Sequence, residues 1–243
     1  MFSSIWHNFF FDPVYNGLVY FINHVPGGDV GLAIIFTTIV VKVILLPLSI
    51  KAAKTQVAMR ELEPKLKELK EKIEDRQEQA QAMMDLYKEA GVNPFASIFQ
   101  LFLQIPIIIA LYLSVYSGGG VALPSINIDI LYSFVPSPET VSMMFLGMMD
   151  IAAKSLPLAF LAGFTQFIHA QMSIPKPEPR KADAEPNLKE DFSRNMQNQM
   201  RYVMPIIIFL VAYSISAAIA LYFTISNLSA IAQEFIVKKH RKN

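Results

Sequence analysis

Residues 30–50 read VGLAIIFTTIVVKVILLPLSI, with a single formally charged side chain, Lys42, in the whole stretch. As an α-helix this segment reaches about 31 Å, enough to cross a hydrocarbon core of about 30 Å. The rest of the chain agrees with that reading. It is 53% hydrophobic and 17% charged, with a mean hydropathy of +0.37, whereas a soluble domain carries roughly a quarter charged residues. The net charge is +1, so any basic surface must come from segregation of charge. There is no Cys, which excludes disulfides, thiol catalysis and Cys-ligated metals. His7, His24, His169 and His240 show no ligand spacing, so no metal and no cofactor are expected. Residues 1–30 contain no Lys or Arg and no A-x-A-like site, so neither a cleaved signal peptide nor a transit peptide is expected.

On the N-terminal side of this span, residues 12–25 predict a short amphipathic helix. Asp12 reads as its N-cap and Pro13 as its first residue. Val14, Leu18, Phe21, Ile22 and Val25 form an apolar stripe that Pro26-Gly27-Gly28 ends. Asn16 and Asn23 interrupt it, so an interfacial helix is expected there, anchored by Trp6 and Phe9 to Phe11. On the C-terminal side, residues 51–93 become charged and rich in helix formers. Leu62, Leu66, Leu69 and Ile73 keep helical spacing, and Glu61/Lys65, Glu63/Lys67 and Glu68/Lys72 are i,i+4 pairs in the favourable order. After a polar break at Asp75 to Gln77, a second helix carries Ala80, Met83, Met84 and Tyr87. Residues 52–93 therefore predict an antiparallel two-helix hairpin closed by Gly91.

Further spans are expected at 95–116, with Gln100, Gln104 and Pro106 inside it and Gly118 to Gly120 at its end, and at 156–172. The apolar run 203–237 would measure about 52 Å as one helix, too long for one crossing. It divides into 203–215 and 216–237, with the turn near Tyr213 to Ser216. Residues 121–155 are mixed, with a Met-rich stretch at 141–149 suited to the interface. Pro175, Pro177, Pro179 and Pro186 mark a charged loop at 174–201. The fold class that follows is all-α: a polytopic membrane protein with five transmembrane helices, a two-helix hairpin and an N-terminal interfacial helix, as a single membrane-embedded domain over 1–243. All Lys and Arg except Lys42 and Lys154 lie in 51–93, 174–201 and 238–243. The positive-inside rule then gives N-terminus out and C-terminus in, with hairpin and loop cytoplasmic.

Lys42 lies about 12 Å from the end of its predicted span. An ion at such depth costs at least about 2.5 kcal/mol and usually faces a polar cavity. The plain alternative is a Lys that snorkels toward the headgroups. No Asp or Glu occurs in any predicted span except Glu234, near an end. Polar residues recur at depth in the other spans: Gln100 and Gln104, Thr165 and Gln166, Tyr222, Thr224, Ser226 and Asn227. Together with Lys42 they make a candidate hydrophilic groove, although any one of them suits an interhelical hydrogen bond.

Other chemistries lack their residues. A proton-coupled transporter needs an intramembrane carboxylate relay, and an intramembrane protease needs paired Asp or a Ser with a base in reach. Gly118 to Gly120 carries no Lys and follows a span, so it is no phosphate loop. The chain is expected not to be an enzyme.

The stretches TTIVVKVILLPLSIK at 37–51, LEPKLKELK at 62–70, LYKEAGVNP at 86–94, QIPIIIALY at 104–112 and LYFTISNL at 221–228 resemble, in order, the motifs of the YidC/Oxa membrane protein insertase family. The similarity covers roughly residues 30–237. It implies a bacterial inner-membrane insertase and chaperone, a five-helix core with a cytoplasm-open hydrophilic groove, and no covalent chemistry. Its implied partners are client membrane proteins and membrane lipids, with the Sec translocon and the ribosome as further candidates and no specific nucleic-acid sequence. Other classes in contention are a small channel or transporter subunit and an assembly scaffold without insertase activity. Three departures stand out. Lys42 matches a position that is usually Arg in the family. Tyr213-Ser-Ile-Ser216 replaces an aromatic-Pro-small-Gly turn, and the loop at 174–201 is longer than usual. The large extracytoplasmic domain of some members has no counterpart here.

Overall fold

The computed structural model describes residues 2–241 except 74, 92, 94–95, 118–119, 175–194 and 196. The predicted charged loop at 174–201 therefore lies largely outside the described residues. The described chain is mostly helical and forms two compact units, Met1–Val43 with Ile107–Phe235, and Ile44–Pro106 with Ile236–Asn243.

In the first unit, α1 (Phe2–Trp6) and a π-helical turn (His7–Phe11) lead directly into α2 (Asp12–His24). Asp12 is not an N-cap: it is itself helical, and its carboxylate meets His7 Nδ1 at 2.9 Å. The predicted stripe is buried within the unit. Tyr15, Leu18 and Val19 are fully buried and Ile22 nearly so, all packed against other helices of the unit. The two Asn that interrupt the stripe are stitches. Asn16 donates to Asp12 O and Ile130 O, both at 2.9 Å, and accepts from Tyr132 N, while Asn23 donates to Pro136 O at 2.7 Å. They bind α2 to the 121–155 segment, which supplies a 3-10 turn (Ile128–Ile130) and a two-stranded antiparallel pair, β1 (Met144–Phe145) with β2 (Met149–Asp150). The Met-rich stretch thus contains a tight hairpin.

Helix α3 (Val30–Ile44) starts on Asp29, which accepts from Leu32 N at 3.0 Å and, with its other oxygen, from Leu146 N at 2.7 Å. Gly28 (φ +66°) precedes it, and a Cβ there would meet the carbonyl of Thr140. A Cβ on Gly31 would meet the ring of Phe145, so both glycines let this segment close over the start of α3. The predicted span 30–50 does not run as one helix. It ends at Ile44, and α4 (Leu46–Glu61) begins beyond Leu45. Pro47 in the first turn of α4 explains the break, since it lacks an N–H and clashes with the carbonyl four residues back. The two helices have span length and apolarity only when taken together.

The remaining helices of this unit are the second half of α7 (Ala96–Tyr116), α8 (Leu156–Ser173), α9 (Met204–Ile215, preceded by a π-helical turn at Gln199–Val203) and α10 (Ala217–Arg241) as far as Phe235. Their shared core is built from small residues, including Ala110, Ala159, Ala162, Ala212, Ala217 and Ala218. Small side chains let helices approach closely where no water drives them together. Gly163 shows the limit: a Cβ there would lie 2.9 Å from Phe209 Cβ and 3.1 Å from Pro205 O. The turn between α9 and α10 falls at Ser216, inside the predicted window. Ser216 is extended (φ −172°, ψ 168°), and the first amides of α10 donate to Ala153 O and Ile151 O. Ala217–Ile236 is the one described helical stretch long and apolar enough alone to cross a membrane. Outward faces of α8 and α9 carry exposed Phe160, Phe164, Ile206 and Leu210. Apolar surface on this scale marks contact with lipid or another protein.

In the second unit, α4 continues without a break past residue 51 and is interrupted only at Leu62, just before Pro64 opens α5 (Glu63–Lys72). Asp75 caps α6 (Arg76–Glu89) by accepting from Gln77 N and Glu78 N. Leu62 and Leu66 pack with Met59, Met83, Leu86 and Tyr87, which is the expected hairpin core. Met84 and Ala80 point outward: the paired face of α6 follows Met83, Leu86 and Tyr87, an i, i+3, i+4 set. Gly91 takes φ +65° after α6, as a helix-ending glycine does. Glu68 and Lys72 approach to 3.8 Å on an exposed surface.

Candidate functional site

Lys42 occupies the last turn of α3 and is half-buried. Below it on the same helix, Thr37 and Thr38 are buried, their hydroxyls donating to Ala33 O and Ile34 O. On α8, buried Thr165 donates to Leu161 O at 2.9 Å and Ala162 O at 3.1 Å. On α10, buried Thr224 donates to Ala220 O at 2.8 Å. Asn227 reaches across from α10 to α8, its Nδ2 donating to Ala162 O and to Thr165 Oγ1, each at 3.3 Å. Asn227, Thr165 and, one turn back on α10, Thr224 form a closed polar tier between α8 and α10, while Thr37 and Thr38 are tied to their own helix. Their donors are satisfied by main-chain carbonyls of their own or the adjacent helix, as an apolar surrounding demands.

A second, titratable tier lies further along the helices. His169, one turn beyond Thr165 on α8, is within electrostatic reach of both Glu234 on α10 and Lys42 on α3. Glu234 follows Asn227 by seven residues, two turns along the same face. All three are half-buried, unlike the tier below them. His169 is thus subject to an ammonium from α3 and a carboxylate from α10.

The candidate groove residues divide between these settings. Thr165, Thr224 and Asn227 belong to the closed tier, and Gln166 is half-buried beside it in sequence. Ser226 is buried. The Tyr222 hydroxyl is buried without a partner in hydrogen-bonding geometry, and Ser226 lies one turn on along the same helix. Gln104 is half-buried on α7 and belongs to the other unit. The side chain of Gln100 lies outside the described residues.

Three residues that sequence reading passed over are part of this region. His169 and Glu234 gave only a periodic signal, at i+4 from Thr165 and i+7 from Asn227. Arg201, counted with the loop charges, is 3% exposed. Its Nε donates to Gln171 Oε1 at 2.6 Å and its Nη2 to Gln171 O at 3.3 Å, tying the π-helical turn before α9 to the end of α8. A cation is well placed at that helix C-terminus.

A family model described as the 60Kd inner membrane protein matches residues 21–243. The chain belongs to the YidC/Oxa insertase family. Among its relatives, a membrane protein insertase YidC of Clostridium tetani is 31% identical over 215 residues, covering 88% of this chain and 84% of that protein. Membrane protein insertase YidC 2 of Bacillus anthracis is 30% identical over 241 residues, covering 97% of this chain and 82% of the relative. A crystal structure of an active YidC insertase with its first transmembrane domain resolved shares the fold, with a TM-score of 0.55 at 23% identity. That likeness covers 93% of this chain and 46% of the other.

Proposed function

We propose that this protein is a membrane insertase of the bacterial inner membrane that captures client segments at the level of Lys42. In this reading five spans cross the bilayer, with the N-terminus outside and the C-terminus inside. The titratable tier then opens toward the cytoplasm. The observation that carries it is a half-buried ammonium at the end of an apolar helix, grouped with polar side chains of two other helices.

A client's hydrophilic segment must cross hydrocarbon, and losing its hydration is the dominant cost. A polar recess part-way across lets it keep hydrogen-bonding partners and shortens the fully apolar path. Lys42 attracts acidic residues of that segment. The closed tier of Thr165, Thr224 and Asn227 forms the floor of the recess, and Gln166, Tyr222 and Ser226 contribute further polar wall. The exposed apolar faces of α8 and α9 give the client's own hydrophobic helix a surface to slide along into lipid. Transfer of that helix supplies the free energy, so no nucleotide or cofactor is required.

The test is reconstitution into vesicles with a single-span client bearing an acidic tail, scored by protease protection of the tail. Insertion well above protein-free vesicles is expected. Binding of the client without faster insertion would make the protein a scaffold, and solute flux through the vesicles would make it a channel.

A further inference from the structure

The tip of the β1–β2 hairpin is built from residues that suit neither its turn nor water. Met148 N donates to Phe145 O at 3.0 Å, and the two residues between them, Leu146 (φ +53°) and Gly147 (φ +69°), both take left-handed backbone. Turns with positive φ at both central residues select Asn, Asp or Gly at the first of them, and a bulky apolar residue there is rare. Leu146 is nevertheless 54% exposed, and Met148 beside it is 79% exposed. Leu146 N donates to Asp29 Oδ2 at 2.7 Å, a bond that any residue except Pro could make. What favours an apolar side chain at this position therefore lies outside the chain.

The hairpin is fixed to the start of α3. Besides the Asp29 contact, Val30 N donates to Ser142 O at 3.0 Å and Ser142 N to Gly28 O at 2.9 Å. From Thr140 to Met149 there is no charged residue. We propose that Leu146-Gly147-Met148 is a wedge that enters the outer leaflet of the bilayer and holds the start of α3 at the headgroup level. This rests on the reading in which α3 crosses the bilayer with its start outside. On the same helix Phe36, Ile39, Val40 and Val43 are exposed, so the lipid that covers α3 is continuous with the tip. A protein partner fits less well. Two side chains offer far less than the roughly 800 Å² that each partner of a stable interface buries. A bilayer accepts so small a wedge, because apolar transfer is non-directional and scales with area.

The chain has no Cys, so Met148→Cys in the full-length protein takes a single nitroxide label. In phospholipid vesicles that label should collide more often with oxygen, which concentrates among acyl chains, than with a membrane-impermeant nickel chelate. Leu146→Asn in the labelled protein should reverse the ratio. Its unfolding temperature in detergent should not fall, because Asn suits the turn. A label at 148 that meets nickel more often than oxygen in the parent overturns the wedge. So does a Leu146→Asn variant that unfolds earlier and leaves the ratio as it was, which would make Leu146 a folding residue. Spin–spin broadening that disappears on dilution with unlabelled protein would assign the tip to a second copy and overturn it as well. Orientation is read separately, from exposed Lys154 as Lys154→Cys with an impermeant maleimide in right-side-out vesicles. Modification before lysis is expected. Modification only after lysis, with the 148 label still among acyl chains, would overturn the orientation and the choice of leaflet but not the lipid contact.

Discussion

Asn227 of α10 donates its side-chain amide to Ala162 O and Thr165 Oγ1 of α8, joining two helices through a buried hydrogen-bonded pair. Interhelical hydrogen bonds within membranes contribute about 0.6 kcal/mol on average and up to about 1.7. Asn227→Ala should therefore lower stability by about 1 kcal/mol, read by unfolding in mixed micelles. A variant as stable as the parent would mean that the pair does not hold α8 to α10.

Asn16 on α2 should matter more. It satisfies Asp12 O, Ile130 O and Tyr132 N together, and Asn16→Leu would strand two loop main-chain groups as well as bury a larger apolar side chain. A buried polar group left without a partner costs about 1–3 kcal/mol. The expected loss is about 2 kcal/mol, with amide exchange rising first around residues 130–132. Unchanged exchange there would show that α2 does not anchor this segment.

Gly163→Ala inserts a methyl against Phe209 and the Pro205 carbonyl on α9. Overpacking of a tight contact costs about 1–3 kcal/mol. In a Phe209→Gly background the same methyl should cost less, because the Phe209 Cβ that it would meet is gone. Thermal unfolding of both variants in detergent checks this, and additive losses would place the strain elsewhere.

For Lys42, charge sign and not side-chain shape is expected to govern capture. Lys42→Arg should insert an acidic-tailed client about as well as the parent, whereas Lys42→Glu turns attraction into repulsion in a weakly screened recess. Equal activity of the two variants would remove Lys42 from client capture.

Much of the fold was legible along the chain. Apolar run lengths located α7, α8, α9 and α10 to within a few residues, because a helix in lipid must be apolar over a fixed length and its ends are set by local residues. Ser216 and Gly91 ended helices where expected. Pro47 lies inside the apolar run read as one span, and that span divides into α3 and α4.

The sequence by itself determined that the chain is helical, apolar and of this family, and that Lys42 is its exceptional residue. Only the tertiary structure decided what surrounds Lys42. Periodicity describes neighbours on one helix, at three or four residues' spacing. It says nothing of which face of α8 meets which face of α10, a matter settled by close approach at small residues and by Asn227. Hence Asn16, read as an interruption of an interfacial stripe, is buried and tied to the 121–155 segment, and Arg201 is buried while His169 and Glu234 are half-buried.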